Sequence, residues 1–127
     1  MSLGVDNVSN VNDHLDKLMQ ELRRGTLTIG VLSQLSEPQY GYSLVTMLGD
    51  KGIHVEPGTL YPLLRRLEKQ GLLDSKWDTN ESRPRKYYLL SKTGKEVYCL
   101  LVGEWMGIVD SLNHVIQQKG EEENGAD

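Results

Sequence analysis

The most informative part of this 127-residue sequence spans residues 56–95 and reads EPGTLYPLLRRLEKQGLLDSKWDTNESRPRKYYLLSKTGK. In its first half, Pro57 precedes leucines spaced three and four residues apart, a pattern that indicates a helix beginning at the proline. In its second half, turn-forming residues separate two short runs with aromatic content, residues 72–78 and 85–90. The stretch therefore predicts a helix followed by a two-stranded hairpin.

The predicted helix has two chemically different faces. One face is apolar and consists of Leu60, Leu63, Leu64 and Leu67. The other repeats every four residues and carries Tyr61, Arg65 and Lys69. Pro62 lacks an amide hydrogen, so we expect it to distort the first turn or to delay the regular helix. The helix therefore presents a basic, aromatic surface to a partner and packs its leucines inward.

Three helical segments are predicted upstream of this stretch. The first is the N-terminal helix, which begins at Val11 and ends near Gly25, and its apolar stripe consists of Val11, Leu15, Leu18 and Leu22. A second segment covers residues 27–35 and stops before Pro38, and a third begins at Gly41 and closes at Gly49 and Gly52. The hairpin is thus preceded by helices alone.

A long helix is predicted downstream, with Ser91 as its N-cap and its end near Lys119. Its apolar positions form a seam suited to packing on another helix: Leu101, Trp105, Ile108, Leu112 and Val115. Residues 1–10 and 120–127 are polar or acidic and are predicted to be disordered. The expected organisation is a DNA-binding unit over 11–92, including the N-terminal helix, and a dimerisation helix over 93–119.

Charge is unevenly distributed along the chain. The net charge is −4, but residues 56–95 contain nine lysines and arginines against five aspartates and glutamates, which leaves −8 for the rest. A local basic patch can attract DNA despite an acidic total, because phosphates respond to charges within about one Debye length of ~8 Å. The distribution therefore permits DNA binding.

Several function classes find no support in the sequence. His14, His54 and His114 lie on different segments and Cys99 is the single cysteine, so no spacing predicts a metal site, a cofactor or a disulfide. Phosphate-binding loops and nucleophile motifs are missing, which argues against an enzyme. With neither an export signal nor an apolar run of about 18 residues, we expect a cytoplasmic protein without a membrane partner.

Together these segments predict a mainly α fold with a small β-hairpin: a winged helix-turn-helix plus an N-terminal helix and one long C-terminal dimerisation helix. Because such a helix fits the major groove of DNA, we expect Thr59, Tyr61 and Arg65 to face the bases. Five basic residues would hold the phosphate backbone, namely Arg66, Lys69, Arg83, Arg85 and Lys86. Tyr61 can alternatively be a half-buried packing residue.

A family resemblance covers residues 24–95. Its motifs are Tyr40-Gly41-Tyr42, Pro57-Gly58-Thr59-Leu60-Tyr61-Pro62, Arg65-Arg66-Leu67-Glu68, Gly71-Leu72, Arg85-Lys86-Tyr87-Tyr88 and Ser91-Lys92-Thr93-Gly94. The stretch resembles the PadR family of bacterial transcriptional regulators. The resemblance implies a homodimeric repressor that contacts DNA through Tyr42, Thr59, Tyr61, Arg65 and the basic wing. Glu56 departs from the small polar residue that is usual before the Pro-Gly pair.

The ends of the chain resemble the short-tailed members of this family, in which the C-terminal helix packs against the N-terminal helix of the other subunit. Exposed apolar stripes on a monomer favour the same arrangement. The predicted dimer interface is Leu15, Leu18, Leu22, Leu101, Trp105, Ile108, Leu112 and Val115. Two-fold symmetry then predicts a pseudo-palindromic operator in double-stranded DNA.

Trp105 has two interpretations. The segment Glu104-Trp105-Met106 resembles that of multidrug-sensing members, which implies a planar aromatic or cationic effector bound at the dimer interface by Trp105 with Leu101 and Ile108. The acidic residues Glu104 and Asp110 would favour a cation. Alternatively, Trp105 fills the dimer core and binds no ligand.

A function of another class stays open at this point. The winged helix can serve as a protein-interaction module without reading DNA. Such a module needs no basic, aromatic recognition face, and loss of DNA binding after replacement of Arg65 and Lys86 would exclude it.

Overall fold

Four helices and three short strands make up this computed structural model, which describes residues 3–80 and 82–125. In chain order the elements are α1 (Leu3–Ser33), β1 (Gln39–Tyr40), α2 (Gly41–Asp50), α3 (Pro57–Lys69), β2 (Leu73–Asp78), β3 (Arg85–Leu90) and α4 (Lys92–Gly125). The predicted helix–hairpin stretch corresponds to α3, β2 and β3, and the predicted long C-terminal helix is α4. Among the described helices, none combines the length and apolar character needed to cross a bilayer.

The structure corrects the prediction of two helices separated near Gly25, because α1 is one continuous helix. Just after the glycine, the Thr26 hydroxyl donates to the carbonyls of Leu22 and Arg23, at 3.3 and 3.1 Å. A helical glycine costs about 1 kcal/mol relative to alanine, which the packing of the rest of a helix can offset. The buried residues Val31 and Leu32 supply that packing.

The ends of the long helices also extend beyond their predicted limits. Residues 3–10 are helical in α1, so the predicted disorder over 1–10 is wrong for them, and residues 1–2 lie outside the described residues. Adding a turn to an existing helix is far cheaper than nucleating one, and Val8 continues the apolar stripe of α1. For the same reason α4 extends to Gly125 through most of the predicted disordered tail over 120–127, whose residues 126–127 lie outside the described ones.

The strands form one antiparallel sheet in the order β1-β3-β2. The hairpin pairs Leu73 with Leu90 and Trp77 with Lys86, as directly opposite residues. The sequence analysis missed β1, which pairs with β3 through two residues. Two residues are too few to show the alternation by which strands are recognised.

The core lies between α1, α2, α3 and the base of the hairpin. Its buried hydrophobic residues are Val31, Leu32, Leu35, Leu44, Leu48, Leu60, Leu63, Leu64, Leu67, Leu73, Tyr88 and Leu90. The four leucines of α3 are therefore buried as their spacing predicted. The opposite face of α3 is turned away from this core.

The first turn of α3 begins at Pro57, and the amides of Thr59 and Leu60 both donate to the Glu56 carbonyl at 2.9 Å. Pro62 lies inside this helix and is exposed. The helix is therefore not delayed to Pro62, one of the two predicted possibilities. An exposed position limits the cost of the missing amide bond, because water can satisfy the freed carbonyl.

The start of α4 is attached to the turn between α3 and β2. Ser91 acts as the predicted N-cap, since its hydroxyl oxygen accepts from the Gly94 amide at 2.9 Å. The same hydroxyl donates to the Gly71 carbonyl at 2.6 Å, and the Ser91 amide donates to Leu72 at 3.0 Å. These bonds connect the long helix to the turn that follows α3.

Candidate DNA-binding surface

A groove of about 640 Å³ lies between α3, the start of α2 and the hairpin. We call it the wing groove, and its lining is Tyr40, Gly41, Tyr42, Ser43, Tyr61, Arg65, Trp77, Arg83, Pro84, Arg85, Lys86 and Tyr88. It brings together six of the nine residues predicted to bind DNA: Tyr42, Tyr61, Arg65, Arg83, Arg85 and Lys86. Aromatic faces and cations therefore share one concave surface beside α3.

The other three predicted DNA-binding residues lie elsewhere on α3. Thr59 and Arg66 line a second cleft, on the flank of α3 that faces α1. Lys69 is exposed in the last turn of the helix. The predicted site is thus spread around the exposed half of α3, with the wing on one side only.

The two tyrosines of the wing groove have different environments. Tyr42 is 72% exposed at the start of α2. Tyr61 is half-buried and its ring packs on the Gly41 backbone, so closely that a Cβ at Gly41 would lie 2.5 Å from Tyr61 Cε1. The packing interpretation of Tyr61 therefore holds for its ring, while the residue still lines the groove.

Arg65 provides the most accessible hydrogen-bonding group of the recognition face. It is exposed and makes no ion pair with any residue that the structure describes. Its planar guanidinium can donate two parallel hydrogen bonds to a guanine edge or to a phosphate. The side chain is thus available to a nucleic acid without first losing an internal partner.

Tyr40 organises the outer part of the wing. Its hydroxyl donates to Asp78 Oδ2 at 2.5 Å, and its ring meets Tyr87 edge to face with centroids 6.2 Å apart. The hydrogen bond from Tyr40, assisted by the Asn80 amide, holds the pKa of Asp78 below its ordinary value. Arg85 lies over the Tyr40 ring, with Cζ 5.5 Å from the centroid. Arg85 is therefore oriented by its cation–π contact with the Tyr40 ring.

Glu68 connects α3 to both strands of the hairpin. Its carboxylate accepts a hydrogen bond from the Ser75 hydroxyl and, at 3.1 Å, one from Lys86 Nζ. The hydrogen bond from Ser75 is the main cause that lowers the pKa of Glu68, and the bond from Lys86 lowers it further. The same bond to Glu68 raises the pKa of Lys86. Lys86 also lies 5.3 Å from the centre of the Tyr88 ring. Its ammonium group is thus already paired within the chain, and its predicted contact with a phosphate stays a prediction.

Among the wing-groove residues for which no role was predicted are Tyr40, Ser43 and, most importantly, Trp77. It is 64% exposed and lies opposite Lys86 in the hairpin. One face of the hairpin runs from the buried pair Leu73 and Leu90 out to Trp77, where the strands pass beyond the core. Period-two alternation from Leu73 is the sequence signal that could have placed Trp77 on the same face as Leu73.

The predicted dimer residues differ in exposure. Six of them are largely exposed apolar side chains: Leu15, Leu18, Leu22, Ile108, Leu112 and Val115. Trp105 and Leu101 are half-buried, and Leu101 packs against the core of its own chain. Of the three predicted ligand-binding residues, Ile108 is therefore the most exposed.

The sequence of this chain is similar to those of known transcriptional regulators. Residues 29–99 match the model of the transcriptional regulator PadR-like family. The chain is 35% identical over 78 residues to the transcriptional regulator Rv3488 of Mycobacterium tuberculosis, a match covering 61% of this chain and 73% of that one.

Two crystal structures extend the comparison to the fold. A PadR family transcriptional regulator from Eggerthella lenta is 47% identical with a TM-score of 0.80, covering 85% of this chain and 96% of that one. A PadR-like regulator from Bacillus cereus is 30% identical with a TM-score of 0.68, covering 76% and 97%. These matches confirm the predicted winged helix-turn-helix with a long C-terminal helix. The chain belongs to the PadR-like family of transcriptional regulators, which are DNA-binding proteins and not enzymes.

Proposed function

We propose that this regulator is a homodimeric repressor whose two α3 helices enter successive major grooves of a pseudo-palindromic operator. The observation that carries the proposal is the wing groove, where the accessible Arg65 and the wing arginines lie around α3. A helix of about 10–12 Å diameter fits a major groove about 12 Å wide. Residues 11–92 would bind DNA and α4, over 93–119, would hold the dimer together.

The proposed contacts divide into two kinds. Thr59, Tyr61 and Arg65 read base edges, with Tyr42 beside them at the start of α2. Phosphate contacts come from the remaining accessible cations: Arg66, Lys69, Arg83 and Arg85. For Lys86 we propose a different role from that predicted, since its bond to Glu68 makes it a support of the wing.

Dimerisation is supported by the apolar stripes of α1 and α4. Leu15 and Leu112, for example, are 52% and 50% exposed in the single chain. Exposure of such apolar stripes to water is unfavourable, and packing against a second copy of the chain would bury them. Two-fold symmetry would then place the half-sites about 34–36 Å apart, or a multiple of that distance.

The sharpest test compares two labelled duplexes by fluorescence anisotropy. One carries the DNA upstream of the regulator's own gene and the other a shuffled sequence, each at two salt concentrations. We expect preferential, salt-sensitive binding to the first duplex. Arg65→Ala should weaken it by about 1–3 kcal/mol for each half-site, the value of one bidentate base contact. Lys95→Ala, at an exposed position on α4, serves as the matched control.

Equal or absent binding to both duplexes would count against recognition of this operator. In that case the interaction-module function, which needs no basic recognition face, becomes the better description. An Arg65→Ala variant that binds the operator as wild type does would instead show that Arg65 does not read the bases, and would leave DNA binding in place.

We further propose that a planar aromatic or cationic molecule binds at the dimer interface against Trp105, with Leu101 and Ile108 beside it, and releases the DNA. Trp105 and Leu101 are half-buried beside the exposed Ile108, so an apolar surface next to the Trp105 ring is available to a ligand, which supports this site. A fluorescence titration with a planar cationic dye, in a Trp77→Phe background, should quench Trp105. Equal dye affinity in the Trp105→Ala variant, measured from the dye's own signal, would leave Trp105 as a packing residue only.

A further inference from the structure

A second cleft, of about 660 Å³, lies on the flank of α3 that faces away from the wing. We call it the arginine cleft. Its walls carry Arg23 and Arg24 from α1 and Arg66 from α3, with His54 from the loop between α2 and α3. Neither Arg23 nor Arg24 has a role in the function proposed above. The cleft brings them beside Thr59 and Arg66, two residues of the recognition helix.

The charge of this cleft is strongly positive. Arg23, Arg24 and Arg66 are all exposed and make no ion pair with the described residues. Glu56 is the one carboxylate among the lining residues. The N-terminal end of α3 contributes a further partial positive charge at the same place. A chain with a net charge of −4 thus presents a second concentrated cationic surface.

The position of the cleft determines what it can bind. A helix in the major groove lies between two phosphate backbones, one along each of its flanks. The wing groove lies along one flank of α3 and the arginine cleft along the other. Guanidinium groups pair with phosphate oxygens through two parallel hydrogen bonds, so the chemistry of the cleft matches the second backbone.

We infer that Arg23 and Arg24, together with Arg66, bind backbone phosphates of the operator strand that lies on the side of α3 opposite to the wing. This inference rests on the proposed DNA-binding function and extends it to α1. The middle of α1 then contacts DNA, while the stripe on its N-terminal half serves the dimer.

The test is the salt dependence of DNA affinity in the full-length dimer. Arg23→Gln/Arg24→Gln should weaken binding to operator and shuffled duplexes by the same factor. It should also reduce the magnitude of the slope of log Kobs against log salt concentration by about 3.6, because each of the two subunits loses two phosphate contacts and each contact is worth about 0.9. Arg66→Gln, which removes one contact from each subunit, should reduce it by about 1.8. Lys17→Gln, an exposed α1 cation that does not line the cleft, should leave the slope unchanged.

A charge-conserving variant keeps the test valid if the glutamine variant alters folding or dimerisation. Arg23→Lys/Arg24→Lys retains both positive charges and should keep the wild-type slope. Wild-type protein that binds its operator, with an Arg23→Gln/Arg24→Gln variant of unchanged slope, would overturn this inference and leave the proposed function intact. A slope that falls equally in the lysine variant would also overturn it. Failure of wild-type protein to prefer the operator would instead refute the proposed function.

Discussion

At the scale of single residues, the position of Tyr61 depends on the absence of a side chain at Gly41. The ring occupies the space that a Cβ would need, with Tyr61 Cε1 2.5 Å from the ideal Cβ position. Real Cβ atoms do not approach other atoms so closely, so any larger residue must displace the ring. Because Tyr61 is half-buried and packs against the core from its edge, the ring can move outward at the cost of that edge contact.

Gly41→Ala should therefore weaken operator binding more than it weakens the fold. The displaced Tyr61 ring enters the wing groove and blocks the surface beside Arg65. Gly49→Ala is the matched control, since a Cβ there meets no atom closer than His54 Nδ1 at 4.0 Å. Anisotropy should show a loss for Gly41→Ala alone, and urea denaturation a small change in both. An affinity equal to that of wild type would mean that Tyr61 does not contribute to binding.

At the scale of secondary-structure elements, the wing is held against the recognition helix by one carboxylate. Glu68 of α3 bonds to Ser75 of β2 and to Lys86 of β3. In the proposed function, α3 contacts the bases and the wing contacts the phosphate backbone of DNA. The orientation of the wing relative to α3 should therefore affect operator affinity. The contribution to global stability is modest, about 1 kcal/mol or less, since the ion pair is partly exposed.

Glu68→Gln should lower operator affinity without changing the salt slope, because Lys86 is proposed to support the wing and not to contact phosphate. Lys86→Gln should do the same, and the double variant should lose little more than either alone. Arg83→Gln is the contrasting variant, with a slope reduced by about 1.8, because each of the two subunits loses one phosphate contact. A reduced slope for Lys86→Gln would restore Lys86 to the phosphate contacts.

The same carboxylate predicts a pH dependence. The folded pKa of Glu68 is lowered from its ordinary value of 4.5, so its stabilisation is complete above that pH and is lost as pH falls through the lower folded value. Urea denaturation from neutral to acidic pH should therefore show a stability difference between wild type and Glu68→Gln that disappears at low pH. Glu96→Gln, an exposed carboxyl variant on α4, should show no such convergence.

At the scale of the whole molecule, apolar and basic surfaces are separated. The basic grooves flank α3, whereas exposed apolar side chains follow α1 and α4 and include Leu22, Leu112 and Val115. α1 and α4 also contact each other within the chain, and Ser91 ties α4 to the turn after α3. In the proposed dimer, a change in how the two copies pack would therefore alter the distance between their α3 helices.

Leu112→Glu should dissociate the dimer, because a buried unpaired carboxylate at a central interface position costs about 2 kcal/mol or more. Operator affinity should fall with it, as the two half-sites are then bound separately. Asn113→Glu adds the same charge at the neighbouring exposed position and should preserve the dimer. Sedimentation velocity and anisotropy at matched protein concentrations measure both effects. A Leu112→Glu protein that stays dimeric would place the interface elsewhere.

The parts of the fold that short-range patterns encode were predictable. The leucine spacing of α3, the limits of β2 and β3 and the cap at Ser91 all depend on neighbours within a few residues. The continuity of α1 through Gly25 was not predictable in this way. It depends on packing of the helix against the rest of the core, which outweighs the local cost of a glycine.

Local sequence patterns specify the order of α3, the hairpin and α4, the buried face of α3 and the basic character of its surroundings, because periodicity and charge are local properties. Tertiary structure decided which cations are accessible and what surrounds them. Lys86 is engaged because Glu68 lies 3.1 Å away, although the two are 18 positions apart along the chain. Arg23 and Arg24 reach the flank of α3 because folding brings the middle of α1 beside Arg66. Such distances follow from the packing of distant segments, which no local pattern records.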